Sequence, residues 1–250
     1  MKRQWPQVKC GAVPGLDLLW TILLAASVML GCFLTACGGK QATSRDFDAG
    51  GEVEGALEAR VKKNVKPQPD EQVAVIETDF GKIVIELYPN IAPNMVARFK
   101  QLTNEGFYHG TTFHRINPQL GIIQGGDPLS KDDNPNNDGA GDSPYTNVPA
   151  EFSDLPYERG IVGAARKGPS PAFGGRAAVT EEQAWDTANA QFFITLKRVP
   201  DFDKRYTVFG RVIAGINNAE IIAGAPVEQG TERPADKIVI KSITLQPRTQ

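Results

Sequence analysis

Polar residues able to hold a peptide recur in three separated blocks of the chain. Residues 113–115 read Phe-His-Arg, residues 124–127 read Gln-Gly-Gly-Asp, and residues 191–195 read Gln-Phe-Phe-Ile-Thr. A guanidinium is permanently charged and offers five donors, and a side-chain amide offers both donors and an acceptor. Each block combines such a group with aromatic or aliphatic neighbours. The blocks therefore predict a site that holds a peptide.

Other kinds of site find little support in the sequence. Ser153 and Asp154 have no placed histidine, so a hydrolase triad is not indicated. The chain has 2 histidines and a formal net charge of -2, which favours neither a histidine-rich metal site nor a basic stripe for nucleic acid. We expect no metal, no cofactor and no nucleic-acid partner.

The three blocks together resemble the cyclophilin family of peptidyl-prolyl cis-trans isomerases, from about Gln72 to Leu245. The resemblance implies an enzyme that accelerates rotation about Xaa-Pro bonds in proline-containing polypeptides. The barrier to this rotation is about 18 to 20 kcal/mol, because the nitrogen lone pair is delocalised into the carbonyl. A guanidinium that donates to this lone pair only when the amide is twisted favours the transition state. The reaction needs no nucleophile and transfers no proton.

The resemblance implies a role for each residue of the predicted site. Arg115 takes the position of the catalytic guanidinium, and Gln124 takes that of the glutamine that orients it. Phe193 matches the floor of the proline pocket. Gln191 lies two residues earlier, on the same face of a strand, and is expected to contact the substrate backbone. The other residues expected to bind substrate are His114, Leu120, Ala165, Arg166, Phe202 and Tyr206.

Two departures from the family pattern leave a second interpretation open. Between Arg115 and Gln124 the chain has one residue more than is common, and Leu120 stands near the position of a pocket phenylalanine. Arg166 replaces the usual asparagine after Ala165 and is expected to add positive charge at the groove. The alternative to an enzyme is a cyclophilin-like module that binds peptides or assists assembly with little catalytic activity.

Residues 1–36 resemble the signal peptide of a bacterial lipoprotein. A basic start precedes an apolar stretch at 18–34, and residues 34–37 read Leu-Thr-Ala-Cys, which is similar to a lipobox. Cys37 is then the predicted lipidation site. The protein is expected to be exported and anchored by this lipid to a membrane of the bacterial cell envelope. A retained transmembrane helix and simple secretion are the alternatives.

Composition divides the rest of the chain into a linker and a folded domain. Residues 37–69 are poor in large apolar side chains and are expected to form a flexible linker, although Val53, Leu57 and Val61 recur four apart. Residues 70–248 are expected to form the isomerase domain. Because no exposed heptad or long apolar stripe argues for an obligate dimer, a monomer is expected.

Short strands dominate the predicted domain. A hairpin, a helix from Pro93 to the stop at Gly106, and a second helix at 217–223 are expected. The strands are predicted at 73–78, 82–88, 160–165, 191–195, 207–213 and 237–245, and long polar loops at 129–145 and 167–188. This pattern favours a mainly β antiparallel barrel or sandwich. The resemblance to cyclophilins implies a closed eight-stranded barrel capped by two helices.

Overall fold

The strands of the described chain form one antiparallel sheet. The structure is a computed structural model that describes residues 49–172 and 177–248. Within those residues the eight strands are β1 (Gln72–Thr78), β2 (Gly81–Leu87), β3 (Arg115–Asn117), β4 (Ile122–Gly125), β5 (Ile161–Ala164), β6 (Phe192–Thr195), β7 (Val208–Ala214) and β8 (Ser242–Pro247). Their order across the sheet is β3-β4-β6-β5-β7-β2-β1-β8. The sheet curls into a half-barrel.

Helices accompany this sheet at both predicted places and at two others. The α-helices of the described residues are α1 (Ala49–Arg60), α2 (Pro93–Asn104), α3 (Glu181–Trp185) and α4 (Ile216–Ala223). Proline near the start of α2 and Gly106 at φ 67° after its end match the predicted boundaries. The sequence analysis expects two helices, and α1 and α3 come in addition to them.

Strands β1 and β2 form the predicted hairpin. Ile83, Ile85 and Leu87 of β2 are fully buried and alternate with less buried residues, as a period of two requires. The turn places Gly81 at φ 108°, a conformation that favours glycine. The buried face of this hairpin belongs to the main core of the domain.

Phe99 of α2 lies at the centre of that core. Its ring centroid is 5.3 Å from those of Tyr108 and Phe209 and 5.7 Å from that of Phe192. Phe192 of β6 thus faces the core, while the next residue, Phe193, belongs to a different apolar cluster. This alternation gives one face of β6 to the core and leaves the other for a site.

The expected closed barrel is not what the described strands form. Ladders run from β3 to β8 without pairing these two edge strands to each other. Their flanking segments meet at an isolated bridge between Thr112 and Val239, where the Phe113 N–H donates to the Ile238 carbonyl at 2.9 Å. In the same place the Gly110 N–H donates to the Ile240 carbonyl at 2.9 Å and the Ile240 N–H to the Thr111 carbonyl at 2.7 Å, although β8 itself begins at Ser242 rather than at 237.

Residues 49–60 depart from the predicted flexible linker. They form α1, from which Leu57 and the following Val61 are buried against Phe152 and Trp185. Arg60 adds an ion pair of 2.7 Å to Asp186. The few apolar residues of α1 suffice to dock the helix because the domain places two large aromatic rings opposite them. The local sequence of α1 does not reveal these rings.

Part of the predicted loop at 167–188 is ordered around α3. Thr180 and Gln183 form a capping box at its start, and Trp185 is buried at its end. The loop at 129–145 contains a short 3-10 helix at Pro128–Lys131. Among the residues that the structure describes, no helix is long and apolar enough to cross a membrane; the predicted signal peptide and Cys37 lie outside those residues.

The packing of α1 can be tested with Leu57→Ala. We expect this change to cost about 2 to 3 kcal/mol of packing free energy, because it leaves a cavity beside two aromatic rings. Amide hydrogen exchange along α1 should accelerate accordingly. Leu129→Ala is the matched control. Leu129 is 37% exposed, so this change should have little effect on the free energy of unfolding or on amide exchange along α1. Random-coil exchange rates along α1 in the wild type would contradict the docked helix.

Candidate functional site

Strand register brings the predicted catalytic and pocket residues into one row. Arg115 of β3 lies opposite Gln124 of β4, Gln124 lies opposite Phe193 of β6, and Phe193 lies opposite Gly163 of β5. Residues directly opposite each other in antiparallel strands point to the same face. The row therefore crosses four adjacent strands and presents a guanidinium, an amide and an aromatic ring side by side.

A chain of polar contacts holds the predicted catalytic arginine. Arg115 Nη1 donates to Gln124 Oε1 at 3.1 Å, and Gln124 Nε2 donates to Gln191 Oε1 at 3.0 Å. Gln191 Nε2 in turn donates to the carbonyls of Gly139 and Gly141, at 3.0 and 2.9 Å. Each amide thus has its oxygen turned towards Arg115 and its nitrogen away from it. This polarity fixes the orientation of the guanidinium.

The apolar part of the site is an aromatic cluster around Phe193. The Phe193 ring is stacked on Tyr157 at 5.6 Å and meets the edges of Phe202 and Tyr206 at 5.3 and 5.5 Å. Leu120 packs against the same cluster. The structure therefore brings Leu120, Phe193, Phe202 and Tyr206 together as predicted, and it adds Tyr157, which the sequence analysis missed.

Gly163 has no room for a side chain beneath this cluster. A Cβ atom at this position would lie 2.4 Å from Cζ of Phe193 and 2.7 Å from the hydroxyl of Tyr157. Glycine is required here by close approach, not by a positive φ. The Tyr157 hydroxyl is buried and has no hydrogen-bond partner among the described residues, and burial raises the pKa of Tyr157 well above its usual value.

The sequence predicts added positive charge at the groove from Arg166, but this charge is paired in the structure. Its side chain is only 5% exposed, its guanidinium carbon lies 4.6 Å from the centre of the Tyr206 ring, and its Nη2 pairs with Glu181 at 2.5 Å. The charge is therefore compensated by α3, and the flat guanidinium covers one pocket wall. Ala165 lies beside it and donates its backbone N–H to the Gln191 carbonyl at 2.9 Å.

His114 is buried next to Arg115, the predicted catalytic residue. It is 7% exposed, and neither ring nitrogen has a hydrogen-bond partner among the described residues. Burial lowers the pKa of His114, the nearby Arg115 acts in the same direction, and Asp127 opposes them. The imidazole therefore favours the neutral form, and because both of its nitrogens are buried it does not present a hydrogen-bonding group to the groove.

Glu232 and Asn117 are further residues of the site that the sequence analysis missed. The Glu232 carboxylate accepts hydrogen bonds from Arg115 Nε and from Asn117 Nδ2. Glu232 lies 117 positions after Arg115 in the chain, and no motif in the sequence links the two. The groove at this point is lined by His114, Arg115, Gln124, Gly139, Arg166 and Glu232.

The family of this chain follows from its match to a protein-family model. Residues 73–245 match the model described as cyclophilin type peptidyl-prolyl cis-trans isomerase/CLD. The chain belongs to the cyclophilin family. The match includes every strand of the half-barrel except the ends of β1 and β8, and all of the predicted substrate-binding residues fall within it.

Relatives of this cyclophilin carry the same enzymatic description. A probable peptidyl-prolyl cis-trans isomerase of Brucella suis is 34% identical over 178 residues, which is 69% of this chain and 83% of that protein. A crystal structure of a cyclophilin type peptidyl-prolyl cis-trans isomerase of Cryptosporidium parvum is 28% identical, covers 71% of this chain and 99% of its own, and has a TM-score of 0.59. A second structure of that protein, in the presence of the dipeptide Ala-Pro, has a TM-score of 0.57 at 27% identity and covers 70% and 99% of the two chains.

The buried imidazole of this cyclophilin predicts a pH effect on its stability. Because burial lowers the pKa of His114, the unfolded state binds a proton more readily, and stability is lost as the pH falls below about 6.5. His114→Asn removes this contribution. Urea unfolding of wild type and variant at several pH values should show the wild type losing stability relative to the variant as the pH falls. Parallel curves would contradict a depressed pKa.

Proposed function

We propose that the protein is an exported, lipid-anchored isomerase that accelerates Xaa-Pro isomerisation during the folding of envelope proteins. Family membership and the named relatives supply the isomerase activity. The observation that supports a working catalytic site is the row of Arg115, Gln124 and Phe193 across adjacent strands. The Arg115 donor and the Phe193 ring lie two strands apart, about 10 Å between backbones, with Gln124 on the strand between them.

In the proposed mechanism, Phe193 receives the proline ring and Arg115 acts on the prolyl nitrogen. The nitrogen lone pair is available as an acceptor only when the amide is twisted, so the hydrogen bond from Arg115 is made in the transition state and not in either ground state. Bringing a process of tens of seconds into the millisecond range requires about 6 to 7 kcal/mol. One charge-assisted hydrogen bond supplies part of this, and orientation in the groove supplies the rest.

The polar residues beside Arg115 are proposed to hold the substrate backbone. Gln191 and Gln124 form a fixed row of amide groups next to the pocket. Because these groups are buried or already oriented, binding a peptide costs little additional ordering of the protein. The proposed substrates are polypeptides with accessible prolines, without a strong demand for neighbouring charge, since Arg166 is compensated by Glu181.

A module that binds proline segments with little turnover is the second candidate. It is favoured by Leu120 at the pocket, near the position where the family pattern has a phenylalanine. A proline-peptide isomerisation assay separates the two candidates. A protein that only binds the peptide does not lower the barrier to rotation about the Xaa-Pro bond, so the cis-trans exchange rate of the peptide stays unchanged.

The proposed membrane anchor rests on the sequence around Cys37. Cleavage before Cys37 would leave it as the sole cysteine of the mature chain, since the others are Cys10 and Cys32. A diacylglyceryl cysteine carries at least two acyl chains, and two chains hold a protein firmly where one is marginal. The isomerase would then act on chains that emerge or fold close to the membrane.

Arg115→Ala tests the catalytic proposal. We expect turnover to fall by at least about a hundredfold, or about 3 kcal/mol, because a transition-state hydrogen bond is lost while the fold persists. Turnover is measured with the full chain in detergent, using a proline peptide and exchange NMR. Arg159→Ala is the control, because Arg159 is an exposed arginine paired with Glu220, and it should retain full activity. Normal turnover in a folded Arg115→Ala protein would remove Arg115 from the mechanism.

Cys37→Ser tests the anchor. We expect it to abolish incorporation of labelled fatty acid and to leave an unprocessed precursor, because the thiol is the acceptor of the lipid. Cys32→Ser, five residues earlier, is the matched control and should still be labelled and processed. Recovery of the wild-type protein in the soluble fraction, with an N-terminus other than Cys37, would overturn the proposal.

A further inference from the structure

Glu232 is bound to β3 by three separate contacts. Its carboxylate accepts from Arg115 Nε and from Asn117 Nδ2, and its backbone carbonyl accepts from the N–H of Ile116 at 2.7 Å. Glu232 lies in the segment between α4 and β8, so it comes to β3 from outside the strand ladder. One residue of this segment thus engages every residue of the short strand that carries the catalytic arginine.

The carboxylate also connects the arginine to the apolar pocket. Asn117, which donates to one oxygen of Glu232, accepts at its own Oδ1 from the backbone N–H of Leu120 at 2.7 Å. Leu120 packs against the Phe193 cluster. The turn after β3, where this chain has its additional residue, is therefore fixed by the same carboxylate that holds Arg115.

The ion pair is better suited to orientation than to stability. The side chains of Arg115 and Glu232 are 39% and 40% exposed, and partly exposed pairs contribute about 0 to 1 kcal/mol to folding. The ion pair acts on the orientation of Arg115, since Glu232 holds Nε while Gln124 holds Nη1. Two anchors on different nitrogens fix the plane of a guanidinium. Nη2 has no hydrogen-bond partner among the described residues and is the nitrogen left to donate.

We propose that Glu232 is a positioning residue of the isomerase, which sets the plane of the Arg115 guanidinium and, through Asn117, the turn that carries Leu120. The proposal rests on the catalytic role proposed for Arg115. The carboxylate acts before substrate binds, so its contribution belongs to turnover more than to affinity. Misplacement of a reacting group by about 1 Å can cost up to about a hundredfold in rate.

The test compares Glu232→Ala and Glu232→Gln with Glu228→Gln in the full chain. Glu228 lies in the same segment and pairs with Arg233 at 3.1 Å, not with Arg115, so it is the matched control. We expect Glu232→Ala to lower kcat by about tenfold with KM changed less than threefold, and Glu232→Gln to lower it less, because the amide oxygen can still accept from one donor. The NMR resonance of Arg115 Nε–H should shift in both Glu232 variants and stay in place in Glu228→Gln.

A double variant shows whether Glu232 acts through Arg115. Adding Glu232→Gln to Arg115→Ala should cause no further loss of turnover. The inference is overturned if kcat is unchanged in both single variants, if KM carries the effect, or if the loss is equally large without Arg115. A wild-type protein without isomerase activity would overturn the proposed function instead, and the Arg115 Nε–H shift would then still report whether Glu232 orients the guanidinium.

Discussion

The register between β3, β4 and β6 is the constraint on which the site depends. Side chains alternate between the two faces of a strand, so a slip of one residue would turn Arg115 away from Gln124, or Phe193 into the core in place of Phe192. The buried side of β6 prevents the slip, because Phe192 is held by the rings of Phe99 and Tyr108. The packing that stabilises the domain therefore also aligns the polar groups of the groove.

Local patterns sufficed for the elements whose partners are close in sequence. The β1–β2 hairpin follows from alternation and the turn at Gly81, and α2 follows from its proline, its apolar spacing and Gly106. Helix α1 did not follow, because its thin stripe becomes meaningful only when Trp185 and Phe152 are known to face it. β3 and β4 were not predicted as strands because each is too short to show a period, and they exist through their neighbours in the sheet.

The same distinction applies within the site. Arg115, Gln124 and Phe193 could be predicted because they stand in recognisable blocks, and the aromatic nature of positions 202 and 206 made a pocket wall plausible. The ionic partners could not be predicted, since Glu232, which pairs with Arg115, lies between α4 and β8, and Glu181, which pairs with Arg166, lies in α3. A charge read from sequence is therefore a poor guide to the charge that a ligand meets, because the compensating group can lie anywhere in the chain.

Gly163 shows how narrowly the depth of the pocket is set. It supports the rings of Phe193 and Tyr157 from below, with no space for even one methyl group at its own Cα. A substitution to alanine would have to lift the Phe193 ring towards the groove or spread β5 from β6, and β-sheet pairing resists the second. In evolutionary terms, the chain can vary its pocket rim at Leu120, Phe202 and Tyr206 by single substitutions, whereas the floor can change only if strand and ring change together.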